Sequence, residues 1–296
     1  MKKISYFLSI ALTSALVACG SGNCSKELAC PDESVPFVSE IVETVTVTPS
    51  EGDTYPEYTV IERTQVDLNA FPKTADGAII LFCGKTLYGW RGYNREDVPA
   101  RWVIDEEEGA LKFNGSGMGE AQKGDGGDII FSHKFRNFEL SIDWKVSKGG
   151  NSGIFYLAQE IEGRQIYLSA PESQILDNEN HPDARAGANR QSSSLYDMIA
   201  AEPQNANPFG EWNNTTIIVD RGNVYHFQNG VRVVSYNLWT PRWTEMLQSS
   251  KFSQAKWPLA FELLNNVGGA NREGYFGLQD HGDDVWFKNI TIKILD

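Results

Sequence analysis

An alternation with period two constrains the fold of this chain more than any other feature. Phe138, Leu140, Ile142 and Trp144 alternate with Glu139, Ser141, Asp143 and Lys145. Successive strand side chains point to opposite faces, so this stretch reads as a strand with one buried and one wet face. Val224–Gln228 and Val231–Tyr236 flank Asn229-Gly230, and a two-residue type I′ hairpin needs positive φ at both central positions, which this pair tolerates best. Further strand candidates are residues 129–132, 153–158, 173–176, 215–220, 274–279 and 285–295. In the last, the apolar phase moves from Val285 and Phe287 to Ile290, Ile292 and Ile294, which predicts a bulge near Asn289. Many strands with few helical segments predict an all-β antiparallel sandwich or jelly roll. One short helical insertion is expected at Thr240–Ser249, with Thr240 as cap and Pro241 at the first position. Trp239, Trp243 and Trp257 accompany it. They suit either the rim of a sugar site or the cover of a sheet face, and cover is the expectation for at least two of them.

The ends of the chain bear on compartment. Lys2 and Lys3 precede an apolar run from Tyr6 to Val17 and the sequence Leu16-Val17-Ala18-Cys19, so residues 1–18 read as a signal peptide. Cys19 in that setting resembles the lipidated cysteine of a bacterial lipobox. More than one acyl chain gives stable anchoring, so a globular body lipid-anchored to a membrane of the cell envelope is expected, not a cytoplasmic protein. Residues 19–64, rich in Ser, Thr, Glu and Pro, read as lipidated cysteine and tether with one edge strand. Residues 65–296 fit one β domain. Cys24 and Cys30 are close enough to pair, and Cys83, inside Ile79-Ile80-Leu81-Phe82-Cys83, reads as a buried inert thiol. A net charge of -13 argues against nucleic acid and other polyanionic partners. No glycine-rich loop opens a helix, so a nucleotide fold has no support.

Several local motifs follow in order: Leu81–Trp90, Gly149-Gly150-Asn151-Ser152-Gly153-Ile154-Phe155, Glu172-Ser173-Gln174-Ile175-Leu176-Asp177-Asn178, Gly210-Glu211-Trp212-Asn213, Val224–Val234, Ser250-Lys251-Phe252 and Gly277–Lys293. Together they resemble the 3-keto-disaccharide hydrolase domain family, with Cys83 where that family usually has Asn. The resemblance implies a concanavalin A-like β-sandwich, often in bacterial lipoproteins, that cleaves glycosides oxidised to a ketone at carbon 3. Such a ketone acidifies the proton on carbon 2 and places the leaving group of carbon 1 β to the carbonyl. Elimination and then hydration needs a base, an acid for the leaving oxygen and a group that holds the enolate charge.

Glu172 and Gln174 are two apart on an expected strand and so share a face, with Asp177 at its end. His281, in Gln279-Asp280-His281-Gly282, is the leading imidazole, and His181 the second choice. Glu172, Asp177 and His281 are the catalytic candidates, with acid and base left open between Glu172 and His281. Gln174, His181, Tyr196, Glu211, Trp212 and Gln279 are the substrate-binding candidates. His226, in mid-strand, reads as a surface or cross-strand residue. A divalent ion would suit the ketone, but the scattered Asp, Glu and His show no ligand spacing, so the metal stays open. Two other classes remain: a conventional glycosidase using the pair Glu172 and Asp177, and a non-catalytic carbohydrate-binding lipoprotein.

Overall fold

The computed structural model describes residues 29–34, 37–117 and 125–296. Cys19 and Cys24, with the whole signal segment, lie outside them. Among the described residues the chain forms fifteen strands and three α-helices. The first two strands, β1 (Ile41–Val47) and β2 (Tyr58–Arg63), pair with each other. A large sheet contains β3 (Ile79–Ile80), β5 (Trp102–Asp105), β6 (Ala110–Phe113), β8 (Phe138–Val146), β11 (Asn213–Asp220), β12 (Asn223–Gln228), β13 (Val231–Asn237) and β15 (Val285–Ile294). Its order is β13-β12-β11-β8-β15-β6-β5, with β3 on β15. A smaller sheet contains β4 (Trp90–Gly92), β7 (Ile129–Phe135), β9 (Asn151–Ala158), β10 (Glu172–Leu176) and β14 (Gly274–Leu278), in the order β10-β9-β14-β7-β4. Every pairing is antiparallel. This is the expected all-β sandwich.

The two inner faces make one core, in which Phe131, Ile154, Tyr156, Ile175 and Leu278 of the smaller sheet meet Leu140, Ile142, Trp144, Ile217 and Phe287 of the larger. Alternate residues of β8 and β11 are buried, as the period of two requires. Strands β9, β10 and β14 are instead buried along their whole length, because the outer face of the smaller sheet is also covered. The expected turn forms at Asn229 and Gly230, with φ of 48° and 78°. The bulge appears where the phase change places it, between Lys288 and Thr291, with Asn289 at φ 50°. The insertion carries α2 (Pro241–Ser249), capped by Thr240 accepting from the Trp243 amide. It also carries α3 (Pro258–Asn265), which buries Leu259, Ala260, Leu263 and Leu264. The remaining helix, α1 (Pro182–Ala186), is one turn beyond β10.

Two expectations about the N-terminal region need correction. The segment read as tether carries two strands, and their sheet is held to the body. The Ile61 amide donates to Glu160 O at 2.8 Å and the Glu162 amide to Thr59 O at 2.9 Å. Arg63 reaches Ser39 O and Glu160, and Arg91 makes a bidentate pair with the same fully buried Glu160 at 2.9 and 2.7 Å. A buried carboxylate is tolerable only when matched in this way. The second correction concerns the thiols: Cys83 is not free, and Cys30 does not pair with Cys24, because Cys30 and Cys83 form a disulfide with their Cα atoms 5.2 Å apart.

His226 is neither at the surface nor merely cross-strand. It lies inside the sandwich, fully buried, with Nε2 2.8 Å from Tyr156 Oη and Nδ1 2.9 Å from Ser193 O. Ser193 O only accepts, so Nδ1 carries the proton and Nε2 accepts from Tyr156, whose hydroxyl also bonds to Tyr236. Burial pushes the pKa of His226 from 6.5 down to about 4, against the opposing pull of Ser193 O. The unfolded chain therefore binds a proton first as pH falls. This contribution is fully present above pH 6.5, is lost as pH falls toward 4, and amounts to about 3 kcal/mol. Burial lowers the pKa of His133 and His281 too, so the His226 share is the difference between wild type and His226→Asn. Urea unfolding at pH 7 and pH 4.5 should show a steeper acid loss in the wild type, and equal slopes would remove His226 from the account.

Candidate active site

The outer face of the smaller sheet carries a small open cleft with a cavity volume of about 130 Å³. Glu172 and Gln174 enter it from alternate positions of β10, Asn151 from the start of β9, and Gln279 and His281 from the loop after β14. Tyr167, Tyr196, Lys251 and Trp257 complete the wall.

Local sequence explains why these side chains converge. In the ladder Gln174 faces Gly153, and Glu172 faces Phe155. A Cβ on Gly153 would come within 2.9 Å of the Glu172 Cγ and Cδ atoms, so the glycine leaves the space in which the carboxyl lies. The free edge of β10 is held by the chain at 193–196: the Ser193 amide donates to Gln174 O at 2.7 Å and the Tyr196 amide to Glu172 O at 3.0 Å. The loop with His281 is set by Asp280, which accepts from the Gly282 amide at 2.9 Å and from the Gly127 amide at 2.8 Å. Lys251 is placed through its backbone, its amide donating to Asp197 Oδ2 at 2.7 Å. Its ammonium stands 4.2 Å from the Tyr196 ring centroid, 5.0 Å from that of Phe252 and 5.9 Å from that of Trp257, a range in which a cation is attracted to an aromatic face.

Electrostatics divide the groups. Burial raises the pKa of the Tyr196 hydroxyl far above its ordinary value, helped by its 2.8 Å hydrogen bond to Asp183 and by the charge of Glu172. Tyr196 is therefore a neutral donor to Asp183 and a wall for a ring. Burial lowers the pKa of His281 against the opposing pull of Asp283, and burial raises that of Asp283. The His281 ring is neutral at pH 7, with Nε2 3.2 Å from Asn151 Nδ2. His181 stands edge-on to it, ring centroids 6.0 Å apart. His181, His281 and Asp283 each offer a metal-ligand atom, and these atoms lie within 4.8 Å of one another.

Of the candidates read from sequence, Glu172, Gln174, Tyr196, Gln279 and His281 share the cleft, with His181 beside His281. Asp177 does not line it. Burial raises its pKa, but hydrogen bonds from the Gly149, Glu179 and Asn180 amides and the Asn180 side chain outweigh burial and hold the carboxyl below its ordinary range. It fastens the end of β10. Glu211 and Trp212 lie elsewhere: Glu211 is exposed in a turn, and the Trp212 ring is covered by Lys288 and Lys145 from the outer face of the large sheet, 3.8 and 5.0 Å from its centroid. Among the three insertion tryptophans, Trp243 is fully buried and Trp239 packs under Arg272, while Trp257 reaches the cleft. Sequence reasoning gave no role to Lys251, Tyr167, Asn151 or Asp283. The blocks Gly149–Phe155 and Ser250-Lys251-Phe252 stood out as motifs, but nothing in them alone shows that Lys251 shares a cleft with Glu172.

Similarity to known proteins agrees with this architecture. A family profile described as a 3-keto-alpha-glucoside-1,2-lyase-like domain matches residues 77–293. A protein of Bacteroides thetaiotaomicron named 3-keto-disaccharide hydrolase is 61% identical over 247 residues, covering 80% of this chain and 84% of that protein. A crystal structure from Parabacteroides distasonis, assigned as a candidate glycosyl hydrolase, superposes with a TM-score of 0.62 at 30% identity, covering 75% of this chain and 95% of the other. A second structure from that organism, at 23% identity and TM-score 0.54, shares the fold. By the extent of these matches, the chain belongs to the 3-keto-alpha-glucoside-1,2-lyase-like domain family.

Proposed function

We propose that this protein cleaves glycosides and disaccharides of 3-keto sugars, by elimination of the aglycone followed by addition of water. The observation that carries this reading is that one carboxylate, Glu172, and one ammonium, Lys251, face the same aromatic-walled cleft. Glu172 takes the proton on carbon 2. The electron pair moves onto the ketone oxygen, where Lys251 meets the developing charge and the amide of Gln174 adds a hydrogen bond. Collapse of the enolate breaks the bond from carbon 1 to the glycosidic oxygen, which leaves with the proton now held by Glu172. Water then adds to carbon 1 of the enone and carbon 2 regains a proton. Tyr167, Tyr196 and Trp257 offer flat faces to a sugar ring, and the name of the Bacteroides relative supports the substrate class.

A conventional glycosidase needs a carboxylate on each side of the bond. Among the described residues lining the cleft, Glu172 is the one carboxylate, and Asp177 is committed to backbone amides. The discriminating experiment is aglycone release from a 3-keto-glucoside and its unoxidised parent in D2O. Cleavage of the oxidised glycoside alone, with deuterium at carbon 2 of the released sugar, is expected. Cleavage of the parent would favour two-carboxylate chemistry, and cleavage without deuterium would rule out elimination. Binding without turnover would indicate a carbohydrate-binding protein.

The signal segment and Cys19 support a second part of the proposal, a lipid-anchored enzyme of the cell envelope. Among the described residues no helix is long and apolar enough to cross a membrane. Metabolic labelling with an alkyne fatty acid should mark the protein, and Cys19→Ala should abolish both label and membrane association. An unlabelled wild-type chain would refute the anchor.

A further inference from the structure

We propose that His181, His281 and Asp283 form a divalent-cation site beside the cleft, which it meets at His281. Their ligand atoms lie within 4.8 Å of one another. Ligands on a bound ion, with bonds of about 2.0–2.2 Å, stand roughly 3–4 Å apart, so rotation of one or two side chains closes the set. The three residues come from two segments that the fold brings together. His181 precedes α1, and His281 and Asp283 are two apart on the loop between β14 and β15, which Asp280 pins to Gly127 and Gly282.

Asn151 supplies an independent observation. It is 2% exposed, its Nδ2 contacts His281 Nε2, and its Oδ1 is buried without a hydrogen-bond partner. A buried carbonyl oxygen left unmatched is costly; beside two imidazoles and a carboxylate, it has the chemistry of a further ligand. The Asn151 amide nitrogen of the backbone meanwhile donates to Asp283 Oδ2 at 3.1 Å, which orients that carboxylate. Two imidazoles with oxygen donors favour zinc, manganese, cobalt or iron(II) over calcium or magnesium.

The site is coupled to α1. His181 Nδ1 accepts from the Asp183 amide at 3.1 Å. A neutral imidazole has one lone pair, so ligation through either ring nitrogen takes that cap away from Asp183. Asp183 in turn accepts from the Tyr196 hydroxyl and pairs with Arg190, which links the ion to a wall of the cleft. When bound, the cation would polarise the ketone oxygen, a role that rests on the reaction proposed above; the binding itself does not.

The test needs no substrate. Protein comprising residues 20–296, stripped with chelator, is titrated with MnCl2 by electron paramagnetic resonance and with ZnCl2 by calorimetry. One ion per chain is expected, with affinity at least tenfold weaker in Asp283→Asn and in His181→Ala, and unchanged in the surface control Lys288→Ala. Amide exchange at Asp183 should quicken on addition of the ion. Near-ultraviolet circular dichroism identifies a variant that has lost its fold, and the other variant then decides. No binding by the wild type, or equal affinity in wild type and both variants, overturns the site.

Discussion

Glu172→Gln should lower kcat for a 3-keto-glucoside by about 10²–10⁴, the range expected when a positioned general base is removed, while Tm moves by only a few degrees. The amide keeps the size of the carboxyl and its contacts with Gly153, so lost turnover reports the lost basicity. Exchange of the carbon 2 proton with D2O should fall in the same proportion, because elimination and exchange begin with the same proton transfer. Gly153→Ala tests position instead of basicity. Its new methyl falls within 2.9 Å of the Glu172 Cγ and Cδ atoms, so the carboxyl must move, and a displacement of about 1 Å can cost 10²-fold in rate. A Glu172→Gln enzyme within tenfold of wild type would move the base to another residue, with His281 next in line.

The sandwich was legible because its rule is local: period two, an Asn-Gly turn and a phase slip each sit within ten residues of sequence. Glu172 and Gln174 were legible for the same reason, since alternation puts residues two apart on one face whatever that face meets. Lys251 was not, because it reaches the cleft from an insertion whose position over β10 depends on tertiary packing, and for the same reason the sequence left open which of the three tryptophans stands at the rim. Asp177 shows the opposite failure. A carboxylate at a strand end reads the same in sequence whether it faces a ligand or accepts backbone amides, and only the hydrogen bonds distinguish the two. Helix α3 was missed although Pro258 opens it and Leu259, Leu263 and Leu264 repeat with helical spacing; a segment of eight residues gives that pattern little statistical weight.

Cys30→Ser should destabilise the protein by about 4 kcal/mol, and Cys83→Ser by the same amount. The bond joins residues 53 apart, and by the chain-entropy account closing a loop of that size removes freedom from the unfolded chain worth about this much. For a protein of this length, a loss of that size lowers Tm by roughly 10 °C. The double variant should match either single one, since both remove one bond, and excess reductant should bring the wild type to the same Tm while leaving the variants unmoved. A reductant-insensitive wild type would mean that the two thiols are not joined. The outcome bears on function through the N-terminal segment. With Cys30 fastened to Cys83 and Glu160 gripping Arg63, the chain from Ser39 to Arg63 is part of the body. Eleven peptide units separate Cys19 from Cys30 and span at most about 40 Å. If Cys19 carries lipid, the point where the Cys30–Cys83 bond fastens the chain to the body lies within that distance of the membrane. Reduction would move the first anchor of the chain only from Cys30 to Asp32, whose amide donates to Ala70 O at 2.8 Å, so the loss of stability should appear with almost no change in reach.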